Sequence, residues 1–168
     1  FPVPSVVPLE LLRKFSAYDL AAAKTFHLTL KFLGDVGESR IPELIERLHR
    51  VRMSVPAFSF AHLGIFADFD HQPRVLWIAL QPEKPLVALH AAIDQALQGL
   101  FPLDKHYQPH LTLGRFRSSK HFSSLPSVLK MTPPTFTFLI KEFCLYKSEQ
   151  QPDGNYQHTV LAIFPLQS

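Results

Sequence analysis

TFHLTLKFL, at residues 25–33, decides how this chain is read. Phe26, Leu28, Leu30 and Phe32 alternate with His27, Thr29 and Lys31, and strict alternation predicts a strand over Thr25 to Leu33 with one apolar and one polar face. The tetrapeptide HLTL returns at 110–113, inside a second predicted strand from His110 to Phe116. Each copy follows a turn-prone stretch, each sets its His and Thr on one face, and the copies stand about half a chain apart. The pattern is that of a duplicated lobe.

Working outward, Val6, Val7, Leu9, Leu12 and Phe15 recur at near-helical spacing and predict a short helix. Ser39 is placed to cap a helix carrying Ile41, Leu44, Ile45, Leu48 and Val51. Strands are expected at Phe58 to Phe66 and Arg74 to Leu80, around the turn-forming stretch Asp68 to Pro73. Leu86, Leu89, Ile93, Ala96, Leu97 and Leu100 mark a second amphipathic helix. Ser118 to Pro134 reads as a long loop. Two closing strands, Phe136 to Tyr146 and Tyr156 to Phe164, flank the turn chemistry of Pro152-Asp153-Gly154-Asn155. The sum is an α+β protein with helices packed on sheets.

Composition sets bounds on function. Apolar residues at 46% and charged residues at 18% support a real core and exclude a disordered chain. A net charge of +3 favours anionic partners mildly and excludes a protein that coats nucleic acid. Arg47, Arg50 and Arg52 read as a solvated helix face, whereas Arg115 and Arg117 follow the second motif. Cys144 is the only cysteine, so no intrachain disulfide or thiolate metal cage is possible, and a reducing, cytoplasmic setting is expected. The start, Phe1-Pro2-Val3-Pro4, does not read as a signal peptide, and no apolar run reaches membrane-spanning length.

The paired motif carries the chemistry. If the two lobes pack about a pseudo-two-fold axis, His27 and Thr29 line one wall of a cleft, and His110 and Thr112 line the other. Imidazole titrates at about 6.5, so one ring can give a proton while the other takes one. The threonine hydroxyls are placed to donate to phosphate oxygens between the rings. An isolated histidine among nine reads as core or surface; a matched pair with matched threonines does not. His62, His71, His90, His106 and His121 fit no standard zinc spacing, so no metal is expected. Walker-type loops and dinucleotide fingerprints are absent, which argues against an ATP-driven ligase.

FHLTLKFLGDV at 26–36 and PHLTLGRF at 109–116 resemble the signatures of the 2H phosphoesterase superfamily. They are most similar to those of the RNA 2′,3′-cyclic phosphodiesterases, also called 2′-5′ RNA ligases or LigT-like proteins. PRVLWIAL at 73–80 and LYKSEQQPDGNYQHTV at 145–160 resemble the strands framing that family's second half. The family begins with a longer apolar strand and helix than this chain shows, and Phe1-Pro2-Val3 reads as a remnant of that strand.

The resemblance implies one domain over residues 1–168: a bilobal, duplicated fold whose two antiparallel sheets face a central cleft, with helices outside. It implies hydrolysis of a terminal 2′,3′-cyclic phosphate to a 2′-phosphate without metal or cofactor, with weak reverse 2′-5′ ligation. His27 would be the proton donor and His110 the acceptor, roles that a near-symmetric cleft could exchange, with Thr29 and Thr112 on the phosphoryl oxygens. The implied partners are RNA ends or nucleotides bearing the cyclic phosphate, no membrane, and a monomer by default.

Further contacts are expected around this centre. Lys31 shares the strand phase of His27 and is placed to set a charge beside the phosphate, a solvated strand-end lysine being the equal alternative. Arg115 is a phosphate or nucleotide contact because the family carries Arg there, but it is out of phase with His110 unless Gly114 supports a bulge. Phe26, Tyr107, Phe116 and Tyr156 are stacking candidates for a base, with core packing the stronger reading; Trp77 is expected to pack. A non-catalytic nucleotide- or RNA-binding module on the same fold is the rival function.

Overall fold

The structure is a computed structural model and describes residues 11–118, 122–151 and 156–167. Strands β1 (Leu20–Ala22), β2 (Phe58–Ala67), β3 (Pro73–Gln81), β4 (Leu111–Phe116) and β5 (Thr137–Phe138) form one antiparallel sheet in the order β1-β4-β3-β2-β5. β6 (Glu142–Gln150) and β7 (Tyr156–Pro165) form a separate antiparallel pair. Helices α1 (Ile41–Leu48), α2 (Glu83–Ala96) and α3 (Leu125–Leu129) complete an α+β fold.

β3 is apolar on both faces because it runs through the middle of the sheet: Leu76, Ile78 and Leu80 are buried on one side, Trp77 and Ala79 on the other. Leu86, Leu89 and Ile93 of α2 and Leu44 and Leu48 of α1 join the same core, as the helical spacing requires. The β2–β3 connection closes around Asp68, whose carboxylate accepts from the backbone N–H of Asp70 and Gln72 and from Arg74. Those donors hold the Asp68 carboxyl below the usual carboxylate range. Gly64 lies opposite Trp77, and a Cβ there would fall 2.2 Å from the indole ring. Only glycine lets the tryptophan lie flat across β2.

Several expectations are corrected. Thr25 to Leu33 is not a continuous strand: β1 already occupies the edge of β4, and the chain rejoins it only at the isolated bridge Leu28 to Leu111. Between the pairs Ala22–Gly114 and Leu28–Leu111 it spends five residues against two on β4. Beyond the bridge, the carbonyls of Thr29 and Leu30 accept from the side chains of Tyr107 and His90 instead of a neighbouring strand. The alternation still holds for Phe26, Leu28 and Leu30, which are buried, but Phe32 is exposed.

Ser39 makes no cap; a 3-10 turn at Glu38–Arg40 leads into α1. The expected loop after Ser118 contains a 3-10 turn at Phe122–Ser124 and then α3, pinned by the burial of Leu125 and by Tyr18 bonding Ser124 at 2.9 Å. The single strand expected from Phe136 to Tyr146 divides into β5 and β6, because the chain leaves the five-stranded sheet after Phe138 and starts the second at Glu142. Of the first predicted helix, Val6, Val7 and Leu9 lie outside the described residues; Leu11 and Phe15 are buried.

Candidate active site

The bridge between Leu28 and Leu111 brings the two His-x-Thr segments edge to edge and antiparallel. Both leucines are buried, so alternation turns their neighbours to the opposite face. His27, Thr29, His110 and Thr112 thus turn to one common face beside this single bridge. All four polar side chains are half-buried.

The two imidazoles differ in their surroundings. His110 donates from Nδ1 to the carbonyl of Gln108 at 2.8 Å, which leaves its Nε2 lone pair free. Phe66 packs edge-on against it with ring centres 4.7 Å apart, and Trp77 follows at 6.2 Å. Burial lowers its pKa, and the Arg115 charge lowers it further, against the opposing pull of the Gln108 carbonyl. His27 meets the β6–β7 pair instead, with its ring centre 5.0 Å from His158 and 6.4 Å from Tyr146. Burial first, and His158 second, bring His27 down to about 4.

This depressed histidine makes stability depend on pH. The unfolded chain protonates His27 near 6.5, whereas the folded chain resists until about 4. Stability from this group is therefore lost as pH falls through that window and is unaffected above it. Between pH 7 and pH 5 the wild type should lose about 1 kcal/mol more than His27→Gln, after allowance for partial solvent access. Urea unfolding of both proteins at the two pH values checks this, and equal losses would contradict it.

Arg115 comes round to the site's side of β4. Leu76 and Trp77 are consecutive on β3 but pair with Gly114 and Thr112, so Leu113 is the extra residue of a bulge that shifts the phase of the residues beyond it. Gly114 is also where β1 crowds in: a Cβ would meet the Ala21 carbonyl oxygen at 2.8 Å. Arg115 is exposed beyond it.

Lys31 is placed elsewhere. Its ammonium is buried against Asp94 at 2.5 Å and Asp104 at 3.0 Å, and it donates to the Pro102 carbonyl. Burial alone would lower its pKa, but the two carboxylates outweigh that and raise it. His90, Asp94 and Asp104 are the one cluster among the described residues with metal-ligand spacing, and the lysine already supplies its cation.

The stacking candidates also move. Phe26 is core. Tyr107 lies flat on His90 at 3.9 Å and donates to the Thr29 carbonyl at 3.2 Å, so its ring is committed, and burial raises its pKa. Phe116 is buried against Tyr18 and Phe122; Tyr156 is exposed at the start of β7. Trp77 is buried as expected, but against His110, Phe66 and His62. The contacts missed in the sequence are Phe66 beside His110, and Tyr146, Ser148 and His158 beside His27. Hairpin register around the turn at 152–155 was the available signal for the last two. A recess of about 170 Å³ lined by Gln72, Arg74, Phe116 and Phe122 lies toward the other end of β4.

An α+β fold with paired His-x-Thr segments on one sheet face defines the class as a 2H phosphoesterase. The family model described as the 2′-5′ RNA ligase superfamily matches residues 1–152, and the chain belongs to that family of enzymes. It is 32% identical over 148 residues to the RNA 2′,3′-cyclic phosphodiesterase of Archaeoglobus fulgidus, covering 87% of this chain and 83% of that protein. The protein of the same name from Thermotoga maritima is 32% identical over 150 residues, covering 86% and 78%. Among solved structures, E. coli LigT complexed with 3′-AMP is similar with a TM-score of 0.75 and 25% identity, covering 99% of this chain and 94% of that one.

Proposed function

We propose that this protein hydrolyses the 2′,3′-cyclic phosphate at an RNA end to a 2′-phosphate, by acid–base chemistry between two histidines and without a metal. The reading rests on one observation above the rest: the two His-x-Thr segments meet at the Leu28–Leu111 bridge, with both leucines buried and the histidines and threonines half-buried. The names of the relatives, and a relative solved with a nucleotide, support it from outside the chain.

In the forward step His110 accepts a proton from water at Nε2 as the water oxygen bonds to phosphorus. The bond from phosphorus to O3′ breaks, and His27 delivers a proton to that oxygen. The free Nε2 of His110 favours it as the base. A resting pKa of about 4 makes His27 a strong acid once charged, and the arriving phosphate anion opposes both causes that depress it. Thr29 and Thr112 donate to the phosphoryl oxygens, and Arg115 supports their charge. If a 5′-hydroxyl takes the place of the attacking water, its oxygen bonds to phosphorus as the bond to O3′ breaks, His110 takes its proton and His27 again protonates O3′, and the product is a 2′,5′-linked strand, which gives weak ligation.

We read the chain as one domain of two lobes sharing this cleft, acting as a monomer. Among the described residues no helix is long and apolar enough to cross a membrane, and the lone Cys144 favours a reducing compartment such as the cytoplasm. The test is incubation with RNA ending in a 2′,3′-cyclic phosphate, with a chelator present, followed by identification of the product isomer. A 2′-phosphate is expected. A 3′-phosphate, no turnover, or loss of turnover with the chelator would overturn the proposal.

A further inference from the structure

His158 and Ser148 stand directly opposite each other on β6 and β7, and Ser148 Oγ lies 2.8 Å from His158 Nδ1. With Nδ1 engaged, Nε2 is the free nitrogen of an exposed ring whose centre is 5.0 Å from that of His27. Alternation puts Tyr146 and Ser148 on the side of β6 that meets His27, and Lys147 and Glu149 on the other, where they pair at 3.0 Å. The Tyr146 hydroxyl is engaged with Cys144. His158 and Ser148 are thus the polar pair of this face next to His27, with Gln150 and Tyr156 following further along it.

The chemistry of the substrate says what arrives there. If His27 protonates O3′, the ribose lies on the His27 side of the phosphorus. Its C4′–C5′ arm then continues past His27, away from His110, and carries whatever is attached at O5′. We propose that His158 and Ser148 form a subsite for the phosphate on the 5′ side of the terminal nucleotide, so that the substrate is an RNA end and not a bare nucleoside cyclic phosphate. The inference rests on the functional reading above.

The experiment compares three substrates: adenosine 2′,3′-cyclic phosphate, its 5′-phosphorylated form, and the dinucleotide ApA ending in the same cyclic phosphate. In His158→Ala, kcat/KM should fall about tenfold further on the two substrates with a 5′ phosphate than on the first, the scale of a hydrogen bond to a charged group, while any change made to His27 is shared by all three. Ser148→Ala should move it in the same direction by a smaller factor. Loss on both phosphorylated substrates assigns the phosphate itself, and loss on ApA alone assigns the continuing chain; either supports the subsite. Equal loss on all three, or on none, overturns it.

Binding separates this from failure of the functional reading. Adenosine 2′,5′-bisphosphate should bind wild type about tenfold tighter than adenosine 2′-phosphate does, and His158→Gln should erase the difference. That comparison needs no turnover. A preference that survives in His158→Gln would sink the subsite whatever the enzyme hydrolyses.

Discussion

His27→Ala and His110→Ala should each reduce turnover of a 2′,3′-cyclic phosphate by about 10²- to 10⁴-fold, the usual contribution of a positioned acid or base. The fold should tolerate both, because the buried side chains at each segment are Leu28 and Leu111 and not the imidazoles. The losses should differ in character. His110 is fixed by Gln108 in the tautomer that accepts a proton, so its removal strands the attacking water and lowers kcat. As the proposed acid, His27 would act only in the charged form, so a substrate with a better leaving group than O3′ should recover more activity in His27→Ala than in His110→Ala. Turnover with a nucleoside cyclic phosphate, and a bound-product titration showing affinity within about threefold of wild type, measure both halves. Full activity in either variant would leave the acid–base pair without support.

Lys31→Met should cost about 3–5 kcal/mol of stability, the range for removing one partner of a buried ion pair. Lys31 and Asp94 have side chains 4% and 9% exposed, so neither water nor another cation can take the ammonium's place easily. Asp94 is held below the usual carboxylate range by Lys31, despite burial that would raise it. Its stabilising contribution is therefore present above the ordinary carboxylate pKa and lost as pH falls through the lower folded value. Without the lysine, burial is opposed only by the Asp104 N–H and by His90, so the cost of the substitution should shrink when urea unfolding is repeated near pH 4. The double variant Lys31→Met, Asp94→Leu should regain part of the loss, since the stranded carboxylate is gone. A loss below about 1 kcal/mol at pH 7 would mean that the cluster is solvated in solution.

The same cluster shows where sequence reading stops. Lys31 has the strand phase of His27, and phase alone cannot reveal that Asp94, on α2, and Asp104, in the following loop, come to meet its head group. Tyr107 fails for a related reason: its ring is spent on His90 and its hydroxyl on Thr29, contacts that depend on how the segment before β4 folds back. β2, α2 and the inward faces of the two His-x-Thr segments were legible because their own periodicity reports which side is buried, and β3 showed as an apolar run after turn residues. β1 was not, since Leu20-Ala21-Ala22 has little strand preference and pairs only because Gly114 lets it approach β4. The break between β5 and β6 is a change of sheet within one apolar run, which alternation does not mark.

Trp77 is the chain's single tryptophan, and it sits 6.2 Å from His110 across a shared ring cluster. An imidazolium withdraws electron density from an excited indole, while a neutral imidazole leaves it bright. Emission from a His62→Gln protein, in which the other imidazole beside Trp77 at 5.7 Å is gone, is thus an internal gauge of the charge on the proposed general base. It can be followed through an acid titration, or through the arrival of a nucleotide, with no label attached.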